Sequence, residues 1–325
     1  MRTLVTGGAG FIGSHLVEEL LRRGEAVSVL DDLSTGREGN LADVRRRIEL
    51  VRASALDRAA FLAAARGCGR IVHLAAAVGV RRVLDDPLGA VECNVLGTAN
   101  AVRAALEVGA ALLLASSSEV YGVGHSGPLS EDAPLALGSP SRPRTAYGLS
   151  KALAESLVGA AGRRGLQTLV VRLFNVVGPR QRARYGMVLP RFADAAIAGA
   201  PLEVHGDGGQ RRAFAFVRDA VASVADLLAE PCAWGGTFNV GEDRETTILE
   251  LARLVVERAG TRAPLRFVPH ARALGPGVED FARRVPDLTR LRALLPARTP
   301  VPLEAVVDAV LADRARRSLG AARRG

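Results

Sequence analysis

Short apolar runs rich in β-branched residues alternate with longer helical patterns through the first half of the chain. The apolar runs predict strands at Thr3–Thr6, Ala26–Asp31, Ile48–Ala53, Arg70–Ala75, Ala111–Ser117 and Thr168–Phe174. The intervening helical patterns cover Phe11–Arg23, Arg58–Arg66, Ala90–Val108 and Thr145–Gly162. Because the strand runs are mostly apolar throughout, we expect strands buried on both faces, as in a parallel sheet covered by helices. The pattern therefore predicts an α/β fold.

The regular alternation of short apolar runs and helical patterns ends after Asn175. A Gly/Pro/Arg-rich stretch precedes further predicted elements: a helix at Val188–Ala198, a hairpin around Gly206–Gly209, a strand at Phe214–Val217, a helix from Asp219, a core strand at Phe238–Gly241 and a helix at Ile248–Ala259. The remainder, from Leu265, is typical of a smaller α/β lobe. We therefore expect residues 1–175 with 213–241 to form one domain, and 176–212 with 242–325 a second lobe.

Composition excludes several classes of protein. No apolar run of the chain's 325 residues approaches the ~18 that a transmembrane helix needs. Because the first predicted strand begins at Thr3, we also expect no signal peptide. The net charge is +9, but the arginines are dispersed and aromatic residues are few, so we expect no nucleic-acid partner. Three scattered cysteines without metal-ligand spacing favour a reducing cytoplasm and no metal site.

A glycine-rich turn joins the first strand to the first helix. Gly7, Gly10 and Gly13 have G-x-x-G-x-x-G spacing, which permits a tight turn, close approach of the backbone to a pyrophosphate, and close helix–strand packing. Asp31 ends the second strand, where a carboxylate accepts both ribose hydroxyls and repels a 2′-phosphate. These features predict a dinucleotide site that prefers NAD to NADP, with Arg37 the only nearby residue that argues otherwise.

The only lysine among the 43 Lys and Arg residues stands four positions after a tyrosine. Tyr147 and Lys151 fall one helical turn apart on one face of the predicted helix. An ammonium beside a phenol favours the phenolate, so we expect Lys151 to lower the pKa of Tyr147. Three serines, Ser116–Ser118, stand at the end of another predicted strand, where a serine could hydrogen-bond the substrate hydroxyl that Tyr147 deprotonates.

The chain resembles the extended short-chain dehydrogenase/reductases, the NAD-dependent epimerase/dehydratase group that acts on nucleotide sugars. The resemblance covers nearly the whole chain, in the segments TGGAGFIGSH, VLDDLSTG, VHLAAAVGV, NVLGT, ASSSEVYG, YGLSK, RLFNVVGPRQ, YGMVLPRF, QRRAF and RRVPDL. It implies a doubly wound Rossmann fold with a smaller C-terminal substrate lobe, tightly bound NAD and a UDP-sugar substrate. It also implies a homodimer formed through the helices at Ala90–Val108 and Thr145–Gly162.

The same resemblance assigns residues to the site. Tyr147 is the base, Lys151 holds the nicotinamide ribose, and Ser117 is the hydroxyl partner. The implied cofactor contacts are Gly7, Gly10, Phe11, Ile12, Gly13, Asp31, Asp32, Ser34, Thr35, Gly36, Ser54, Ala55, Leu74, Ala75, Ala76, Asn94, Ser116, Tyr147 and Lys151. The implied substrate contacts are Arg144, Asn175, Val188, His205, Arg212 and Arg284. Two positions depart from the family pattern: Ser54 replaces an Asp that touches adenine, and His205 replaces a Tyr or Phe that stacks on uracil.

Two motifs bear on the reaction. Ser117–Gly122 and the Arg-x-Pro-Asp segment at Arg284 resemble UDP-glucuronate decarboxylases, as does Arg144, three residues before the catalytic tyrosine. We hypothesise that Glu119 and an arginine, Arg144 or Arg284, organise decarboxylation of a 4-keto intermediate, giving UDP-xylose or the UDP-4-keto-pentose. A 4-epimerase is the first alternative. A 4,6-dehydratase is disfavoured because Ser118 replaces the required Asp, and a non-catalytic dinucleotide sensor because Tyr147 and Lys151 are both kept.

Overall fold

The computed structural model describes residues 1–140, 145–183, 186–274 and 282–322. The strands are β1 Arg2–Thr6, β2 Ala26–Leu30, β3 Ile48–Val51, β4 Arg70–His73, β5 Ala111–Ser117, β6 Thr168–Leu173, β7 Val176–Val177, β8 Leu202–His205, β9 Arg211–Ala213, β10 Ala215–Phe216, β11 Thr237–Val240, β12 Glu245–Thr247, β13 Leu265–Val268 and β14 Arg283–Arg284. The helices are α1 Phe11–Arg22, α2 Arg58–Ala65, α3 Val80–Asp85, α4 Pro87–Val108, α5 Thr145–Gly162, α6 Val188–Ile197, α7 Val217–Ala229, α8 Ile248–Arg258, α9 His270–Leu274, α10 Thr289–Leu294 and α11 Leu303–Ala322. Short 3₁₀ segments cover Glu38–Arg47, Ser118–Tyr121 and Pro231–Ala233.

A seven-stranded parallel sheet in the order β11-β6-β5-β4-β1-β2-β3 forms the centre of the molecule. Neighbouring residues of β1 face opposite cores, and both are fully buried: Leu4 packs with α2, α4 and α5, whereas Val5 packs with α1 and α7. The parallel sheet covered by helices that the continuous apolar runs predicted is thereby confirmed, as is the doubly wound fold that the resemblance implied. The strand order reverses between β1 and β4, and the carboxyl ends of these two strands form the crevice in which such folds bind ligands.

Small sheets extend the molecule beyond β6. β7 pairs with β10, β8 with β13, and β9 lies between β12 and β14. The predicted core strand at Phe238–Gly241 is confirmed as β11, and the helix expected from Asp219 begins two residues earlier, at Val217. Helices α6 and α8 and the long α11 join the larger core through Phe192, Leu251 and Val306.

The hairpin predicted around Gly206–Gly209 is wrong. The chain does reverse there, with positive φ at Gly206 and Gly208, but β8 pairs with β13 and β9 with β12 and β14. The Gly206 N–H donates to the Val268 carbonyl (2.8 Å), and the Gln210 side chain donates to the His205 carbonyl (2.8 Å). One of these bonds comes from β13 and the other closes the turn itself, and neither pairs β8 with β9.

Candidate active site

The glycine turn after β1 is closed so tightly that side chains would not fit. Gly7 has φ +69°, and a Cβ on Gly13 would lie 2.1 Å from the Gly7 carbonyl oxygen. A Cβ on Gly10 would meet only the Gly7 oxygen, at 3.0 Å, and Gly10 is the N-cap residue of α1, which has no side-chain cap. The first backbone N–H groups of α1 therefore meet an open face, which fits a pyrophosphate.

Asp31 lies beside this turn. Its buried carboxylate accepts from the Ala9 N–H (2.9 Å) and the Leu33 N–H (2.8 Å). Burial raises the pKa of this carboxyl, and the two backbone donors oppose the rise. A Cβ on Gly36 would lie 2.8 Å from one carboxylate oxygen, so the loop after β2 wraps closely around the acid. The residues present therefore fit the adenosine ribose of the NAD that the sequence predicts.

The other predicted cofactor residues line the carboxyl ends of the sheet. Asn94 is buried, accepts from the Ala77 N–H (2.9 Å) and donates to the Ser150 hydroxyl (2.9 Å), so it ties α4 and α5 to the segment after β4. Ser116 points elsewhere, because its hydroxyl donates to Glu155 (2.5 Å), which leaves only its backbone for a cofactor contact. The remaining positions lie in the first turn of α1 or directly after β2, β3 and β4: Phe11, Ile12, Asp32, Ser34, Thr35, Ser54, Ala55, Leu74, Ala75 and Ala76.

Tyr147 and Ser117 meet where α5 crosses the 3₁₀ turn at the end of β5. The Ser117 hydroxyl hydrogen-bonds Tyr147 and also accepts from the Glu119 N–H (3.2 Å). Close approach depends on Gly148, where a Cβ would lie 2.7 Å from the Glu119 carbonyl oxygen. The structure therefore brings the predicted base and its hydroxyl partner together.

Lys151 lies one helical turn after Tyr147 and is buried, and its ammonium donates to the Ala115 carbonyl (2.8 Å). Burial lowers the pKa of Lys151 to about 8, against the opposing charges of Cys93 and Glu155. Burial raises the pKa of Tyr147 above its ordinary value, and the Ser117 hydrogen bond and the Arg284 charge only partly offset this. The structure thus differs from the expectation that Lys151 leaves Tyr147 with a lowered pKa.

Glu119 and Arg284 form an ion pair next to Tyr147. One guanidinium nitrogen of Arg284 donates to the Glu119 carboxylate, and another donates to the Asn175 side-chain oxygen (3.0 Å). The two charged side chains are only 17% and 14% exposed. Asn175 has φ +36°, an uncommon value that turns its amide toward Arg284, and it also donates to the Ala213 carbonyl (3.1 Å).

Arg212 and Arg284 lie side by side, because β9 and β14 pair in parallel with these two residues in register. Residues that are 72 positions apart in sequence are thereby neighbours on adjacent strands, and guanidinium groups suit a diphosphate in charge and geometry. Val188 begins α6, and His205 ends β8 with its Nε2 3.2 Å from the Arg191 guanidinium. Arg144 lies outside the described residues.

Sequence reasoning missed a buried polar network behind the site. The Tyr121 hydroxyl donates to the Asn239 side-chain oxygen (2.7 Å), and the Asn239 amide donates to the carbonyls of Leu129 (2.8 Å) and Asp287 (3.1 Å). Asp287 follows Arg284 by three residues, so fully buried Asn239 ties the Arg284 segment to the turn that carries Glu119. An amide in the otherwise apolar strand Phe238–Gly241 was the available signal.

Neither a metal centre nor a membrane span emerges from the ranges that the structure covers. No cluster of three or more His, Cys, Asp or Glu residues there could hold a metal ion. No helix in those ranges is both long and apolar enough to span a bilayer.

Comparison with known proteins places the chain among nucleotide-sugar enzymes. The model of the NAD dependent epimerase/dehydratase family matches residues 3–241. A UDP-N-acetyl-alpha-D-glucosaminuronate decarboxylase of Bacillus cytotoxicus is 36% identical, over 90% of this chain and 91% of that protein. UDP-glucuronic acid decarboxylase 1 of Danio rerio is 34% identical, over 93% of this chain and 70% of that one. The structure of a Thermus thermophilus UDP-glucose 4-epimerase in complex with NAD is 32% identical, has a TM-score of 0.84, and matches 97% of this chain and 99% of its own.

Proposed function

This chain belongs to the NAD dependent epimerase/dehydratase family, and we propose that it decarboxylates UDP-glucuronate. The products are UDP-xylose or, where the intermediate is released, the UDP-4-keto-pentose. The observation that carries the proposal is the ion pair of Glu119 and Arg284, placed next to Tyr147 and Ser117. The similarity to two decarboxylases of UDP-linked uronic acids supports it.

Tyr147 and Ser117 handle the proton of the C4 hydroxyl. Ser117 holds the sugar hydroxyl, and the Tyr147 phenolate takes its proton. Bound NAD supplies reversible removal of a hydride from C4. The glycine turn and Asp31 would hold its pyrophosphate and adenosine ribose, and Lys151 its nicotinamide ribose.

A ketone at C4 makes the C6 carboxylate that of a β-keto acid. Carbon dioxide leaves when the C5–C6 bond breaks, and its electron pair stays on C5 as an enolate that then takes up a proton. The Arg284 guanidinium stabilises the negative charge, since a fixed cation in a water-poor site costs no reorganisation during the reaction. Glu119 and Asn175 fix the orientation of Arg284, which makes Arg284 the arginine that we assign to this step; Arg144 is the alternative.

Residues of the smaller lobe, together with Asn175, bind the nucleotide half of the substrate. We assign the diphosphate to Arg212, which β9 and β14 hold in register with Arg284, the residue assigned above to the sugar carboxyl. Asn175 and Val188 line the path from the sugar to the base, and His205 stacks on the uracil. This assignment goes with the division of the chain into residues 1–175 with 213–241 for NAD, and 176–212 with 242–325 for the sugar nucleotide.

A 4-epimerase is the second candidate, favoured by the similarity to the Thermus thermophilus enzyme. It would use Tyr147 and Ser117 in the same way and would have no need for Glu119. Dehydration is disfavoured, because Ser118 is buried and offers no acid to a leaving hydroxyl.

We further propose that the protein is a cytoplasmic homodimer. Leu88 and Leu96 on α4 and Leu153 on α5 are 70%, 52% and 50% exposed, which leaves an apolar surface on two adjacent helices. A second copy covering this surface would remove it from water. Cys68, Cys93 and Cys232 are free thiols, in keeping with a reducing compartment.

The test is a substrate panel with purified protein and NAD. UDP-glucuronate, UDP-N-acetylglucosaminuronate and UDP-glucose are each incubated, with carbon dioxide and the UDP-sugar products measured together. Carbon dioxide with a UDP-pentose from UDP-glucuronate supports the proposal. UDP-galacturonate without carbon dioxide, or UDP-galactose from UDP-glucose, would establish the epimerase, and release from the N-acetylated substrate alone would change the assigned sugar.

A further inference from the structure

Four arginines from three separate segments converge beside the Asp31 edge of the cofactor crevice. Arg37 follows β2, Arg182 follows β7, and Arg314 and Arg317 lie on α11. The Arg182 guanidinium donates to the Gly36 carbonyl (3.2 Å). Partial burial and the positive charges of Arg182, Arg317 and Arg314 lower the pKa of Arg37, against the opposing charge of Asp313, so the other three arginines lie within electrostatic reach of Arg37. We refer to them as the arginine cluster.

Two members of the arginine cluster are neutralised and two are not. Arg314 pairs with Asp194 and Arg317 with Asp313 (2.9 Å). Arg37 and Arg182 contact no carboxylate among the described residues, and Glu38, next to Arg37, is taken by Arg52 (2.5 Å) and Arg45 (3.4 Å). The carboxylate whose charge reaches Arg37 is that of Asp313, which is already paired with Arg317. Two like charges held close together without a carboxylate in direct contact favour binding of an anion.

This unpaired charge lies next to the position proposed for the adenosine ribose. Gly36 separates the two groups: its α carbon faces an Asp31 carboxylate oxygen, and its carbonyl accepts from Arg182. Two of the lone pairs of Asp31 are already used by the Ala9 and Leu33 N–H groups. A phosphate on the ribose 2′-oxygen would point away from the Asp31 carboxylate and would contact the guanidinium groups of Arg37 and Arg182.

We propose that Arg37 and Arg182 form a site for a phosphate monoester beside the adenosine ribose, so that the cofactor crevice accepts NADP as well as NAD. The inference rests on the proposed cofactor site and extends it. Asp31 still disfavours the added negative charge, and exposed Asp32 adds to this effect, so NAD binds more tightly of the two. The arginine cluster reduces the difference in affinity between NAD and NADP and does not reverse it.

Calorimetric titration of cofactor-free protein with NAD and with NADP tests the proposal. The variant Arg37→Gln/Arg182→Gln removes the two unpaired charges. The matched control Arg66→Gln/Arg164→Gln removes two exposed arginines that precede β4 and β6, at the opposite edge of the sheet. We expect measurable NADP binding to the wild type, about tenfold or more weaker NADP binding to the first variant, NAD binding within about twofold throughout, and no change in the control.

Equal NADP affinity in the wild type and in Arg37→Gln/Arg182→Gln would overturn the proposal. Equal weakening of NAD and NADP would also overturn it, since it would show a structural role for the arginines. Inorganic phosphate titrated into NAD-saturated protein separates a free anion from the 2′-phosphate: binding that depends on the two arginines there would reassign the site to the free ion. Failure of the wild type to bind NAD would instead count against the proposed cofactor site itself.

Discussion

Tyr147 is surrounded by groups that act on its hydroxyl in opposite directions. Burial and the Glu119 carboxylate raise its pKa, whereas the Ser117 hydrogen bond and the Arg284 charge lower it. The phenolate that the reaction needs therefore depends on a balance of several residues, whereas the Lys151 ammonium is directed to the Ala115 carbonyl.

Replacing Tyr147 by Phe removes the proton acceptor and little else. We expect turnover to fall by about 10²- to 10⁴-fold, with NAD affinity and thermal stability close to those of the wild type. Tyr121→Phe is the matched control, because it deletes a buried hydroxyl that bonds only to structural partners. That variant should keep its turnover and lose about 1–3 kcal/mol of unfolding free energy. A Tyr147→Phe protein with undiminished turnover would exclude this residue as the base.

The Glu119→Gln variant tests whether the ion pair of Glu119 with Arg284 is needed for decarboxylation. Without the carboxylate, Arg284 loses its orientation, so we expect carbon dioxide release to fall about 100-fold or more. Glu245→Gln breaks the neighbouring ion pair with Arg283, one residue from Arg284, and should stay within about twofold of the wild type. Similar losses in both variants would show that only the fold of this strand had been disturbed.

The lowered pKa of Lys151 makes a prediction about stability and pH. The folded protein holds this group with a pKa of about 8, against an ordinary value of 10.5, so above pH 8 the unfolded chain binds more protons than the folded one. The free energy of unfolding should therefore rise between pH 7 and 9.5, by about 2 kcal/mol relative to Lys151→Met. Denaturant titrations at several pH values measure this, and parallel curves for the two proteins would contradict it.

At the scale of elements, the site depends on how closely α5 approaches the 3₁₀ turn Ser118–Tyr121. Gly148 permits this contact, whereas Gly159 on the same helix has only the flexible Arg163 side chain near its Cβ position, at 3.8 Å. Gly148→Ala should push Tyr147 away from Ser117 and lower turnover by about tenfold or more.

Gly159→Ala is the control for this change. It should leave turnover unaltered and stabilise α5 by about 0.5–1 kcal/mol, because alanine loses less conformational freedom than glycine in a helix. Enzyme assays and thermal denaturation of both variants decide the matter. Unaltered turnover in Gly148→Ala would mean that α5 can move away from the 3₁₀ turn without loss of activity.

The sequence predicted best those elements whose pattern depends only on residues of their own segment. β5 and α5 have the bounds expected from their patterns, since a continuous apolar run and a helical repeat each report on their own segment. The hairpin at Gly206–Gly209 was wrong because glycine turn chemistry reports a reversal of the chain and not the partner of each strand. Pairing of β8 with β13 depends on residues more than sixty positions away.

The same distinction holds for the site. Tyr147, Lys151 and the glycine turn stand in short motifs, so their spacing alone indicated their chemistry. The contact of Glu119 with Arg284, and the meeting of Arg37 with Arg182, join segments separated by more than a hundred residues. A count of charges in sequence identifies such arginines only as basic residues, and tertiary structure decides which of them face a carboxylate.

At the scale of the whole molecule, the exposed leucines of α4 and α5 predict the oligomeric state. Leu96→Glu/Leu153→Glu places two charges on the apolar surface proposed to join two copies. We expect the wild type to sediment as a dimer and this variant as a folded monomer. Phe267→Glu, which changes an apolar residue of similar exposure (53%) on β13, should remain dimeric. A wild type that sediments as a monomer at micromolar concentration would contradict the proposed interface.

The most direct test of the decarboxylase assignment follows the carboxyl carbon itself. UDP-glucuronate labelled with ¹⁴C at C6 is incubated with the protein and NAD in D₂O, and both released ¹⁴CO₂ and deuterium at C5 of the product are measured. The proposed chemistry predicts that label leaves as carbon dioxide in step with pentose formation, with one solvent deuteron incorporated at C5. Retention of the label in a product epimerised at C4, without deuterium at C5, would contradict it.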